Sequence, residues 1–84
     1  MSEEEYLALD KVLMKSHLID GLDVTQVDDE DCFMDFEQDK VISFKDGLQE
    51  IYESDANDIC FKNGYITHEE HGVINSLFKK FEIM

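Results

Sequence analysis

The 84-residue chain contains no proline and no tryptophan, and all seven of its basic residues are lysines. Without proline nothing rigid punctuates the chain, and only the four glycines at 21, 47, 64 and 72 serve as breakers. Seven lysines stand against 21 Asp and Glu, a formal net charge of −14. Direct nucleic-acid binding requires a basic face that neutralises phosphates, and this balance supplies none. Two cysteines, Cys32 and Cys60, are too few for a disulfide framework and read as structural core thiols. No apolar run approaches the roughly 20 residues of a membrane span. The opening, MSEEEYLALD, carries acids where a signal or transit peptide carries basic charge. The expectation is a cytoplasmic chain with reduced thiols and no membrane contact.

What is present suffices for one small core. Hydrophobic residues make up 43% of the chain, with six Phe and three Tyr, so residues 1–84 read as a single acidic domain rather than a disordered tail. Its charge exceeds the magnitude of roughly 2–8 that suits a small domain, and the excess is self-repulsive.

Helical periodicity dominates the pattern. Ser2 and Glu5 form a capping box opening a helix over 2–20, with Tyr6, Leu9, Val12 and Leu13 on one face and Gly21 as the stop. Thr67 and Glu70 form a second box, with Ile66 as a staple. Val73, Ile74, Leu77, Phe78 and Phe81 follow at three- and four-residue steps, and Lys79 and Lys80 suit the negative end of the dipole. Between these, Ser43 caps a helix with the stripe Phe44, Leu48, Ile51 and Tyr52, ending near Ser54. Gly47 weakens it by about 1 kcal/mol relative to Ala. Residues 28–38 read as a further helix, with four acids in its first turn and Cys32, Phe33 and Phe36 facing inward. The competing reading is a strand through Cys32, Met34 and Phe36. Asn63-Gly64 signals either a hairpin over 59–66 or a loop between helices. The expected fold is mainly α, a small four-helix bundle, the alternative being α+β with the 59–66 hairpin.

An acid field is the dominant chemical feature. Nine carboxylates lie between Asp20 and Asp39 with no basic residue among them: Asp20, Asp23, Asp28, Asp29, Glu30, Asp31, Asp35, Glu37 and Asp39. Like charges about 5–6 Å apart on a helix destabilise it, so such a field opposes folding. A solvated surface is the plain explanation. Carboxylates presented to a Lys/Arg-lined cleft in place of phosphates are the functional one, and they steer a fast encounter. Interfaces also need apolar anchors, and Phe33, Met34 and Phe36 interleave with the acids. The residues assigned to partner contact are Asp28, Asp29, Glu30, Asp31, Asp35, Glu37 and Asp39, with Phe33 or Phe36 as anchor.

Other constellations are weaker. No nucleophile sits in a recognisable catalytic setting, so the chain is not expected to be an enzyme. His68 and His71 lie three apart on a helix start, whereas zinc-protease helices place them four apart. Asp35, Glu37, Asp39, Ser43 and Asp46 occupy positions 1, 3, 5, 9 and 12 of an EF-hand-like loop. Lys40 stands where that loop needs Gly, and Asp46 where it needs a bidentate Glu. A second such loop, over 59–70, has Ile59 and Phe61 in ligand positions. A calcium-binding EF-hand-like module is a second alternative, and the primary reading requires no metal or cofactor.

The segment from Gly47 to Phe81, GLQEIYES, an acidic loop and YITHEEHGVINSLFKKF, resembles small acidic bacterial toxin-immunity proteins of the colicin D, contact-dependent and Maf types. That resemblance covers under half of the chain and carries over no individual residue. It implies a non-catalytic inhibitor that binds the basic active site of a nuclease toxin. The nearest alternative is a phage-encoded nucleic-acid mimic directed at a host nuclease, restriction or CRISPR effector.

Overall fold

Both capping boxes form. Ser2 Oγ accepts from the Glu5 amide at 3.1 Å while Glu5 Oε1 accepts from the Ser2 amide at 2.7 Å. At Thr67 and Glu70 the reciprocal distances are 3.1 and 2.8 Å. In the computed structural model, which describes residues 1–19 and 21–84, these boxes open α1 (Glu3–Lys15) and α4 (His68–Lys80). Ser43 Oγ likewise accepts from the Asp46 amide and opens α2 (Phe44–Glu53), followed by α3 (Ala56–Lys62). Helix α1 ends five residues before the expected limit, because His17 turns left-handed (φ 55°) directly after the Ser16 cap.

The remainder departs from the expected bundle. Residues between α1 and α2 form an antiparallel sheet: β1 (Leu22–Val27), β2 (Glu30–Asp35) and β3 (Lys40–Ser43), in that spatial order. The fold is therefore α+β, with four helices and three strands among the described residues. The helix expected over 28–38 does not form. Asp28 and Asp29 instead occupy a two-residue turn with both φ positive (52° and 66°), joining Val27 to its partner Glu30. That is the primed turn whose twist matches the flanking strands, and Asp tolerates it better than most side chains. Around it, Leu22 and Val24 are buried at alternate positions, as are Phe33 and Asp35, the period of a strand, with Cys32 buried in addition beside Phe33.

The 59–66 hairpin is absent as well. Ile59 to Lys62 complete α3, and Asn63-Gly64 closes it: the Tyr65 amide bonds the Cys60 carbonyl and the Gly64 amide that of Phe61, with Gly64 at φ 75°. This is a helix-terminating motif, so the loop reading of Asn-Gly is the one that holds. Glu82 takes the same left-handed position after α4, at φ 60°.

One hydrophobic core unites the elements. The inner face of the sheet contributes Leu22, Val24 and Phe33, with Ile42 partly buried beside them. Phe33 is fully buried and stacks on Phe44 at 5.4 Å, and Phe44 meets Phe81 edge-on at 5.3 Å. Helices α1 and α2 lie against the sheet, and α3 and α4 pack on those helices. Leu9, Val12, Leu48, Ile51, Ile74 and Leu77 fill the space between them. Tyr6 and Tyr52, expected on buried stripes, are each 40% exposed.

Candidate functional site

Register determines which side chains share a face. Val24, Phe33 and Ile42 stand in one row facing the helices. Asp23, Met34 and Val41 form one outward row, and Thr25, Cys32 and Ser43 another. The core draws on the inner rows alone: Cys32 is buried yet lies outside the core cluster. The outer face carries exposed apolar side chains, Val27 (44%), Val41 (48%) and Phe36 (61%), with Met34 partly exposed between them. Asp23, Asp28, Asp29, Glu30, Glu37 and Asp39, all exposed, lie on it or in the turns at its two ends.

The structure divides the residues assigned to partner contact. Asp28, Asp29 and Glu30 gather at the β1–β2 turn, whereas Phe36, Glu37 and Asp39 form the β2–β3 turn at the opposite end. By strand rise these ends lie roughly 20 Å apart, so the acids bracket a face rather than form one patch. Asp20, the first acid of the field, lies outside the described residues.

Three assignments change character. Phe33, one of the two candidate anchors, has no exposed surface; its ring is core, and of the two only Phe36 is exposed. Asp35 is 8% exposed, and its Oδ1 accepts from the amides of Glu37 and Gln38 at 3.1 and 3.2 Å, so it shapes the turn. Asp31 faces inward. Its carboxylate accepts from the Met1 ammonium at 2.6 Å and from Gln26 Nε2 at 2.8 Å. These two donors hold its carboxyl below the usual range.

The other constellations are committed locally. His71 Nε2 lies 2.7 Å from Asp58 Oδ1, and the ring stacks on Phe61 at 4.4 Å. The run 35–46 is the end of β2, a turn, β3 and the first turn of α2, not a loop between two helices. Among the described residues no three His, Cys, Asp or Glu side chains are grouped to hold a metal ion. Nor is any helix long and apolar enough to cross a membrane. Cys32 and Cys60 are unbonded, and burial pushes the Cys60 thiol up.

Sequence reasoning did not single out Val27, Val41 or Thr25. The available signal was Asp28-Asp29 at two-residue loop length, set between the alternating run Leu22–Val27 and the run through Cys32, Met34 and Phe36. Comparison with family models, curated proteins and solved structures finds no match, so a functional reading rests on the chain's own chemistry.

Proposed function

We propose that this chain is a non-catalytic inhibitor that binds a basic protein, a nuclease toxin domain, through the outer face of its sheet. The supporting observation is that face itself: Val27 and Val41 exposed and Met34 partly so, between an acidic turn at one end and, at the other, the acidic turn that carries exposed Phe36. An apolar centre with a polar rim is the anatomy of a protein interface, with Phe36 as the large anchor. The rim is predominantly acidic, with Lys40 beside Asp39 as its cation, and stands in for phosphates, so it repels nucleic acid and attracts the lysine- and arginine-lined cleft that binds it. The two free thiols suit a cytoplasmic site of action. The resemblance to immunity proteins supplies the partner class.

The test compares the wild-type chain with D28N/D29N/E30Q and with F36S/V41S. Asp31 is left intact, because neutralising it would release the Met1 ammonium and Gln26. Immobilised chains capture proteins from the lysate and culture medium of the native host. A captured nuclease is expected to lose cleavage activity at one-to-one stoichiometry with the wild type. The acidic triple variant should associate about tenfold more slowly at low salt, with a shallower salt dependence. The apolar variant should mainly dissociate faster. Unchanged kinetics in both variants, or capture of proteins without nuclease activity, refutes the proposal.

A further inference from the structure

The sheet has two edges, and they differ. The Phe36 amide donates to the Gly21 carbonyl at 2.7 Å, directly opposite in register, so that pair is hydrogen-bonded. In an antiparallel ladder bonded and non-bonded pairs alternate. Asp23–Met34, Thr25–Cys32 and Val27–Glu30 are then the bonded pairs, and Val24 and Gln26 turn their amides and carbonyls away from β2. Among the described residues neither main chain meets a partner on that side. Edge strands are ordinarily blunted by lysine, proline or a bulge. Strand β1, LDVTQV, has no lysine or proline and pairs in unbroken register over all six residues. Strand β3 is shorter, begins with Lys40, and its Ser43 is occupied in capping α2.

Beside the β1 edge lies an open cleft of about 390 Å³, between the strand and the first turns of α1, lined by Met1, Ser2, Glu3, Tyr6, Val24, Thr25 and Gln26. Tyr6 is 40% exposed there, although its place on the α1 stripe would have buried it. We propose that β1 accepts an extended, arginine- or lysine-bearing strand of the partner, which pairs with Val24 and Gln26 and becomes the fourth strand of the sheet. Alternate side chains of the added strand then enter the cleft. A cationic one meets the Glu3 carboxylate and the Tyr6 ring, a pairing of ion and aromatic face that favours guanidinium. The opposite side chains extend the outer face beside Thr25 and Val27. Charge selects this occupant: a second copy of the chain brings another −14, whereas a basic strand meets Asp23 near one end of β1 and Asp28 and Asp29 at the other. This inference rests on the reading that the partner is basic.

The probe is a synthetic peptide of alternating arginine and threonine, about the length of β1. It is compared with a twin of equal charge whose alternate amides are N-methylated and cannot pair. The parent peptide is expected to bind at least about tenfold more tightly than the twin. Amide exchange at Val24 and Gln26 should slow by a similar factor on its addition, while that of Thr25, already bonded to β2, changes little. Q26P removes an edge donor but no β1–β2 main-chain bond, and should weaken binding of the parent to the level of the twin; Q26A, which loses only the Gln26 side-chain bond to Asp31 that Q26P also loses, should leave it unchanged. The peptide comparison itself requires no variant to fold. Equal binding of the two peptides with unchanged exchange overturns strand addition and leaves a basic partner standing. Failure of both peptides to bind even at low salt overturns both readings. A dimer of the free chain with Val24 and Gln26 already protected also overturns the proposal, since the edge then belongs to a second copy.

Discussion

Replacing Gly47 with Ala sets local helix preference directly against tertiary packing. In an isolated helix the change gains about 1 kcal/mol, since Gly is the poorest ordinary helix former. In the folded chain a Cβ at this position falls 2.0 Å from Cδ2 of Phe33, 2.4 Å from Cγ and 2.6 Å from Cε2. No heavy atoms approach so closely without displacement, and the ring has little room to move. Phe33 has no exposed surface, stacks on Phe44 at 5.4 Å, and Phe44 is backed edge-on by Phe81. Overpacking of a filled core costs typically about 1–3 kcal/mol, and a fully enclosed aromatic ring puts this site at the upper end. Subtracting the helix gain leaves G47A less stable by about 2 kcal/mol. For a domain whose total stability is about 4–13 kcal/mol, that shift lowers the melting temperature by roughly 10 °C. Urea titration followed by far-ultraviolet circular dichroism measures it, with an unchanged slope marking a change of stability rather than of cooperativity. Combining G47A with F33L should recover part of the loss, a coupling above about 0.5 kcal/mol. A G47A chain that unfolds at higher urea than the wild type would show that the α2 backbone does not lie against the Phe33 ring.

Three further outcomes are expected. Glu82 holds a left-handed φ of 60° at the helix-closing position that Gly64 fills after α3, so E82G should stabilise the chain by about 0.5–1 kcal/mol in thermal melts; a loss would refute the motif. The Lys11 ammonium 2.8 Å from Glu70, and then the Thr67 amide, hold the Glu70 carboxyl below its ordinary value. Its contribution to stability is therefore full above the unfolded value near pH 4.3 and is lost as pH falls through the lower folded value. E70Q keeps the capping geometry but loses the charge: it should be about 0.5 kcal/mol less stable at pH 7 and equal to the wild type once pH lies below that folded value. A gap that persists in strong acid would assign the effect to packing. Finally, with 21 acids against seven lysines, added sodium chloride should raise the melting temperature by screening self-repulsion; a fall would mean that ion pairs outweigh the repulsion.

The face proposed to bind a partner was half legible in the chain. Asp28, Asp29, Glu30, Glu37 and Asp39 are exposed, as an acid run implies, and Phe36 stands out among them. Phe33, Asp31 and Asp35 were indistinguishable from these by composition. Only the pairing of three strands turns Phe33 toward Phe44, brings Asp31 to the Met1 ammonium and folds Asp35 back onto its own turn. A shift of one residue in strand phase exchanges the two faces, so burial along 22–43 could not be assigned before register was known.

The sequence by itself determined the ends of α1, α2 and α4 that depend on neighbours three residues away: the boxes at Ser2–Glu5 and Thr67–Glu70 and the cap at Ser43. Those contacts are local, so any chain carrying them declares them. It also determined the −14 charge and the exclusions that follow from it. Tertiary structure decided whether 22–43 pairs as strands, whether Asn63-Gly64 turns a hairpin or closes a helix, and why Gly47 occupies a helix that Ala would favour. Each of those depends on what lies across the fold. The four-acid run from Asp28 to Asp31 reads equally well as a helix start, and the hairpin wins because β2 finds β1 on one side, β3 on the other, and the Phe44 ring above Phe33.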